Sequence, residues 1–214
     1  MKALLYKEFK LVVNPLFYCV ALFSALILIP QWLYFIALLY FCFMSAPNLF
    51  TLSKTYKEVY FTATLPVLRR DVVKARLVSL VVLEVLQIVV AAVCVVLKLT
   101  VMTTPNYIFL DGNLAFLGLS FVMFGLFNIV LLPMFYQTAY KIAMPAILAT
   151  VVSVAFAAAV ELGVIYLPAV ADLFDGMHTT AAHVITLAAG IAVFAGLNIA
   201  AYRVSAARFE TVDL

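Results

Sequence analysis

Long apolar runs alternate with short polar intervals along the whole chain. The runs follow one another at residues 16–29, 33–52, 77–99, 114–135, 143–167 and 183–202. A membrane-spanning helix needs about 20 predominantly apolar residues, a length that all of these runs except the first reach. Pro47, near the inner end of the second run, is expected to bend that helix or interrupt its hydrogen bonds. The pattern predicts an all-α membrane protein with six transmembrane helices.

Composition supports the same fold class. Of the 214 residues, 68% are hydrophobic and 11% are charged, and the mean hydropathy is +1.21. Soluble domains are about 45–50% apolar and about 25% charged, so a water-soluble core is excluded. We expect residues 1–214 to form a single transmembrane domain.

The positive charges lie almost entirely on one side of the predicted membrane topology. If both termini lie in the cytoplasm, every Lys and Arg except Lys98 belongs to the cytoplasmic side. The predicted outer loops contain Asp111, Asp172 and Asp175 instead. Because the cytoplasmic loops of membrane proteins carry an excess of Lys and Arg, the charges predict an N-in/C-in orientation.

An amphipathic pattern marks the N-terminus. In a helix over residues 1–13, apolar side chains such as Leu4 share one side, while Lys7 and Lys10 lie opposite. Such a helix lies at the membrane surface, with its lysines among anionic headgroups. Glu8 interrupts the apolar side. The alternative is that this segment is the beginning of the first span.

The longest polar interval inside the sequence, residues 53–76, is predicted to be a cytoplasmic loop, and its first half is both basic and aromatic. Tyr56, Val59 and Tyr60 have the spacing that puts side chains on one face of a short helix. Aromatic residues and Arg anchor protein interfaces, so we expect a cytoplasmic partner here; the alternative is a helix lying on the headgroups. The candidate partner-binding residues are Lys54, Tyr56, Lys57, Glu58, Val59, Tyr60 and Phe61.

A basic cluster closes the same interval. It consists of Arg69, Arg70, Lys74 and Arg76, which directly precede the third apolar run. Long basic side chains at the end of a span extend their charged groups to the membrane surface while their stems lie along apolar neighbours. We expect the cluster to extend to the headgroups in this way.

Three polar side chains inside the apolar runs are candidates for a pathway or gating role. Glu84 and Gln87 lie one helical turn apart in the third run, and Glu161 lies near the outer end of the fifth. A charge at the bilayer centre costs about 3 kcal/mol on insertion scales, so such residues are often functional. The alternatives are a protonated or hydrogen-bonded carboxyl that ties helices together, or proximity to the interface.

Small residues recur every four positions in the sixth run, at Ala188, Ala192, Gly196 and Ala200. Small residues allow two helices to approach closely in lipid. This ridge therefore predicts either packing inside the protein or an interface with another subunit.

The sequence argues against an enzyme. It lacks the GxxxxGK[ST] pattern that cradles ATP phosphates. His178 and His183 are the two histidines, and neither belongs to a metal-binding motif. We expect no catalytic residues, no metal and no cofactor bound by this chain.

Two segments carry a family resemblance: MKALLYKEFKL at residues 1–11 and TLPVLRRDVVKAR at residues 64–76. The first is similar to the Met-Lys-x-Leu-Leu-x-Lys-(Asp/Glu) opening of small bacterial permeases. The second is similar to the Leu-Pro-Val-x-Arg stretch that precedes their third span. With its length and six-span layout, the chain resembles the membrane-spanning permease subunits of bacterial ABC exporters, in the small six-span group of the type-2 permease superfamily.

The resemblance implies a permease in the bacterial plasma membrane that pairs with a second permease, either itself or a sister chain. Two copies of a cytoplasmic ABC ATPase would bind ATP and Mg and drive export. Residues 54–62 would form the coupling helix, and residues 1–13 the connecting helix at the membrane surface. The outer segment, residues 168–182, lies between the fifth and sixth spans, and residues 161–182 would fold partly back into the membrane. The cargo would be hydrophobic or amphipathic, such as a peptide, a lipid or a drug.

A second class of function leaves a similar sequence. A membrane scaffold or immunity protein that transports nothing would also dock a cytoplasmic partner through a basic, aromatic loop. An ATP-binding partner would distinguish the exporter from this alternative.

Overall fold

The computed structural model describes residues 2–12, 16–29, 32–55, 67–101, 109–138, 141–175 and 180–212. Within these ranges the chain is helical and forms no strand. The α-helices are α1 (Lys2–Lys7), α2 (Leu16–Val20), α3 (Phe35–Tyr40), α4 (Ala46–Thr55), α5 (Arg69–Val101), α6 (Leu114–Phe135), α7 (Ala143–Tyr166), α8 (Pro168–Asp175) and α9 (Thr180–Glu210). A π-helix at Glu8–Val12 continues α1, a 3₁₀-helix at Ala21–Leu28 continues α2, and a π-helix at Phe41–Ser45 joins α3 to α4.

Four of the described helices, α5, α6, α7 and α9, are long and apolar enough to cross a membrane. They correspond to the third to sixth predicted spans. Helix α6 has the predicted bounds because Asn113 caps its first turn, with its side-chain Oδ1 accepting a hydrogen bond of 2.9 Å from the Phe116 N–H. The all-α prediction is confirmed for the described residues, and these four helices have the length and apolar character of the predicted third to sixth spans.

The first two predicted spans are shorter and irregular. Apolar helix covers Tyr18–Leu28 and Phe35–Thr51. The first changes from α to 3₁₀ geometry, which rises about 2.0 Å per residue instead of about 1.5 Å and so lengthens a short segment. That these two segments cross the membrane remains a prediction.

Pro47 interrupts the second segment, as expected. The π-helix Phe41–Ser45 directly precedes this residue. Proline lacks an N–H and its ring displaces the carbonyl group four residues earlier, so the regular α pattern breaks there. On the C-terminal side of the interruption, the Pro47 carbonyl accepts a 2.9 Å hydrogen bond from the Thr51 hydroxyl.

Several helices continue into polar sequence beyond the predicted spans. The interval 53–76 contains the end of α4 and the first two turns of α5. Helix α9 continues eight residues beyond the predicted end of the sixth span at residue 202. The outer segment 168–182 contains α8 and the start of α9. Hydropathy locates the hydrocarbon region but not the end of a helix, which depends on hydrogen bonds outside it.

Helices α6 and α9 pack more extensively than any other pair of described elements. Their backbones touch where two glycines cross: a Cβ added to Gly190 would lie 2.1 Å from the Gly118 carbonyl oxygen. A Cβ added to Gly118 would lie 2.5 Å from the Thr186 carbonyl oxygen. No side chain fits at this crossing, so both glycines are required by the close approach of the helices.

The predicted small-residue ridge of the sixth span lies on another side of α9. Ala188, Ala192 and Gly196 are exposed, and nothing lies within 4 Å of a Cβ added to Gly196. Ala200, the fourth residue of the ridge, is half-buried. The first three positions do not pack inside the protein, and the alternative of an interface with another subunit remains a prediction.

Gly190 and Gly196 lie on different sides of α9, so the same substitution should have different effects at the two positions. Gly190→Ala should lower the free energy of unfolding by about 1–3 kcal/mol, because its methyl group forces two backbones apart. Gly196→Ala, on the open side of the same helix, should leave it unchanged or slightly higher, because alanine favours helix. Thermal unfolding of the purified protein in lipid measures both; equal effects would contradict the crossing.

Candidate functional site

The basic end of the protein, defined by Arg69, Arg70 and Arg76, is held together by buried and partly buried polar contacts. Arg76 is 4% exposed, and its Nε lies 3.0 Å from Oε2 of Glu8, which is 1% exposed. Its guanidinium group lies over the Phe50 ring, 5.5 Å from the ring centre. The Glu8–Arg76 pair thus joins the N-terminal segment to α5 beside the end of α4.

Arg69 and Arg70 attach the first turn of α5 to the end of α9. Arg69 donates hydrogen bonds to the carbonyl groups of Phe209 and Val212, at 3.0 and 2.7 Å. Arg70 pairs with Glu210 through both carboxylate oxygens. Carbonyl groups at a helix C-terminus lack partners within the helix, and Arg69 provides one. The predicted loop end and the C-terminal helix therefore form one surface.

These contacts place Arg76 inside the protein, whereas the extension of the exposed Arg70 and Lys74 to the headgroups remains a prediction. Arg76 is buried against a carboxylate, and Arg69 and Arg70 are occupied by the C-terminal segment. Lys74 is exposed. Glu8 was the signal for this arrangement, because a carboxylate on the apolar side of an amphipathic helix needs a buried cation.

The candidate partner-binding segment begins where α4 ends. Lys54 lies in the last turn of α4. The other candidates lie outside the described residues, and their role remains a prediction: Tyr56, Lys57, Glu58, Val59, Tyr60 and Phe61. Because α4 ends at Thr55 and α5 begins at Arg69, this segment connects the two helices along the chain.

Glu84 lies at a junction of three long helices. It is fully buried in α5, and its Oε2 accepts a 2.8 Å hydrogen bond from Nδ2 of Asn128 in α6. Asn128 Nδ2 also donates to Oδ1 of Asn198 in α9, at 2.9 Å. Of the alternatives given by the sequence, this contact matches a carboxyl that ties helices together. A pathway role for Glu84 remains a prediction.

Gln87 makes a separate junction with the first two apolar segments. It is 1% exposed, and its Nε2 donates to the Ser24 hydroxyl at 3.0 Å and to the Ala37 carbonyl at 3.2 Å. Glu84 and Gln87, one helical turn apart in α5, therefore bind different elements instead of forming one polar patch. Gln87 joins α5 to the irregular segments, whose backbone leaves such carbonyl groups accessible.

The opposite end of the protein carries its own polar contacts. Lys98 is 2% exposed and pairs with Asp111, and its ammonium group donates to the Tyr34 hydroxyl at 2.6 Å. Glu161 Oε2 accepts a 3.1 Å hydrogen bond from the Leu110 N–H. Both contacts hold the segment before α6 against its neighbours. Glu161 is 5% exposed, so it lies within the protein and not in open water.

An apolar groove of about 560 Å³ runs between the second apolar segment and α7. Small and branched side chains line it, and Glu84, Gln87 and Glu161 are not among them. The lining residues are Phe43, Pro47, Ala143, Ala146, Ile147, Thr150, Val151, Val154 and Ala155.

Sequence reasoning missed the partners of the buried polar residues. Asn128 and Asn198 are amides in the middle of apolar runs, the same signal that singled out Glu84. The Tyr34 hydroxyl is buried against Lys98, a contact that the apolar pattern does not predict. Among the residues that the structure describes, no group of three His, Cys, Asp or Glu side chains is placed to hold a metal ion.

Comparison with known protein families gives a match for this chain. A model of the family described as "ABC-2 family transporter protein" matches residues 3–210. Comparison with curated proteins gives no match, and neither does comparison with solved structures. The resemblance seen in the two sequence motifs is confirmed by a match that covers nearly the whole chain. The protein therefore belongs to the ABC-2 transporter family, as a multi-pass plasma membrane protein with a permease-type role in transport.

Proposed function

We propose that this chain is the transmembrane subunit of an ATP-driven exporter. It forms a pathway with a second permease, and two copies of a separate cytoplasmic ABC ATPase supply the energy. The family match over residues 3–210 carries this proposal, because membrane subunits of this family work with an ABC ATPase. ATP and Mg belong to the ATPase, since this sequence contains no phosphate-binding loop.

The basic end offers a route from the ATPase to the spans. A force on the segment between α4 and α5 reaches Arg76 and its partner Glu8, and thereby the N-terminal helix. It also reaches the end of α9 through the contacts of Arg69 and Arg70. A coupling helix at residues 54–62 would thus move α4, α5 and α9 together. The described contacts support this proposal by connecting those three helices near one point.

The exposed ridge of α9 supports a second permease in the assembly. Ala188, Ala192 and Gly196 present small side chains to the outside of the protein, where a helix of another subunit can approach closely. Whether that subunit is another copy or a sister chain is decided by the composition of the purified complex.

The apolar groove suits the proposed cargo. Its lining contains no charged side chain, so it favours acyl chains or apolar side chains over ions and sugars. A hydrophobic or amphipathic peptide, a lipid or a drug fits this character. We propose that such cargo contacts the groove between the second segment and α7 on its way to the pathway.

The exporter requires a partner contact through Tyr56 and Tyr60. Replacing both with Ala should weaken co-purification of the ATPase and abolish ATP-dependent transport, because a buried interface aromatic contributes about 2 kcal/mol or more to binding. The measurement is affinity purification of the tagged chain with its ATPase, followed by ATP hydrolysis in lipid.

Tyr166→Ala is the matched control, because this tyrosine is 74% exposed and lies at the C-terminal end of α7, outside the candidate partner-binding segment. The control should retain the ATPase. Retention of the ATPase and of transport in the Tyr56/Tyr60 double variant would contradict the coupling assignment. A wild-type chain that purifies without any ATPase would favour the scaffold or immunity protein instead.

The groove predicts a second result. Ala155→Phe fills it from α7 and should reduce the stimulation of ATP hydrolysis by an amphipathic peptide or a phospholipid, because the cargo loses apolar contact area. Ala159→Phe, one turn further along α7 at an exposed position outside the groove, should retain the stimulation. Equal stimulation in both variants and the wild type would show that cargo does not use the groove.

A further inference from the structure

The junction around Glu84 contains one hydrogen atom too few. Asn128 Nδ2 uses both of its N–H groups, one toward Glu84 Oε2 and one toward Asn198 Oδ1. Asn198 Nδ2 donates to the Phe194 carbonyl at 2.9 Å. Among the described residues, Glu84 Oε1 and Asn128 Oδ1 are left as buried acceptors without a donor.

Among the described residues, no positive charge pairs with Glu84. The groups that face it are neutral: the amide of Asn128 from α6 and the thiol of Cys42 from the second apolar segment. An ionised carboxylate that is fully buried without a cation is strongly unfavourable. The site therefore disfavours the charged form.

One additional proton placed between these two oxygens would give both of them a partner. We propose that Glu84 is a proton-binding site, in which the carboxyl group carries a proton on Oε1 and donates it to Asn128 Oδ1. The Asn128 N–H already donates to Oε2 at 2.8 Å, so the acid and the amide exchange two hydrogen bonds. This neutral cyclic pair joins α5 to α6, and Asn198 extends it to α9.

A proton fits this site better than a metal ion. Cations such as Na⁺ or Ca²⁺ need several oxygen ligands directed at one point. Here the amide nitrogen of Asn128 is directed at the carboxyl group, and an N–H group repels a cation. Glu84 is also the one carboxylate of this junction among the described residues.

A protonated Glu84 also makes the charge of this junction depend on the separation of the helices. In water a glutamate side chain ionises at about pH 4.3, so an acid exposed by separation of α5 from α6 would release its proton at neutral pH. Opening of this junction is therefore coupled to proton release, and closing to proton uptake.

Infrared spectroscopy of the full-length protein in lipid tests the proposal at neutral pH. The wild type should show the C=O stretching band of a protonated carboxylic acid, and Glu84→Gln should lack it. Glu161→Gln, which changes another buried carboxyl group, is the control and should retain the band. If the wild type instead shows bands of an ionised carboxylate that are missing from the spectrum of Glu84→Gln, the proposal is overturned. Spectra that change when Na⁺ is replaced by a bulky organic cation would overturn it in favour of a metal site.

Thermal unfolding provides an independent readout. The side-chain N–H of glutamine can donate to Asn128 Oδ1 where the acid O–H did, so Glu84→Gln should unfold at nearly the same temperature as the wild type. Glu84→Met has a similar size but no donor, and should unfold at a clearly lower temperature. If Gln destabilises the protein as much as Met, the neutral pair is refuted.

Discussion

The cost of an unpaired polar group in hydrocarbon is the constraint on which this structure depends. Because the bilayer core contains no water to bind such groups, each one needs a partner within the protein. Here the described polar residues of the spans are gathered at a few junctions: Glu8 with Arg76, Glu84 with Asn128, and Lys98 with Asp111. The first two pairs join elements more than 40 residues apart, and Lys98 also binds Tyr34, 64 residues away. The positions of these groups therefore determine how the helices are arranged.

The constraint also explains the irregular second segment. Pro47 removes an N–H and forces a π-helix at Phe41–Ser45. Gln87 donates to the carbonyl of Ala37 in the neighbouring α3, so that α5 compensates for the irregular region. The second segment packs its rings against α6, with Phe35 against Phe116 and Phe41 against Phe124, and the first segment packs mainly against α5.

Hydropathy alone predicted the regular part of this fold and missed the rest for physical reasons. The bounds of α6 agreed because an apolar run, an Asn cap and a proline coincide there. The extents of α5 and α9 did not, because their polar ends are held by Arg69 and Glu210, partners about 140 residues apart. Likewise, the sequence singled out Glu84 as a buried carboxylate but gave no means to identify Asn128 as its partner. Pairings across the bundle depend on the arrangement in space, which the apolar pattern does not contain.

The proposed exporter requires the basic end of the bundle, where the ATPase would bind, to lie in the cytoplasm. Cysteine labelling in intact cells tests this most directly, in a variant whose Cys19, Cys42 and Cys94 are replaced by Ser. We expect a membrane-impermeant maleimide added outside to react with Asp172→Cys, at the exposed outer helix α8. Lys74→Cys, exposed at the start of α5, should react only after the cells are opened. Labelling of Lys74→Cys from outside would contradict the proposed orientation and, with it, the cytoplasmic ATPase as the source of energy.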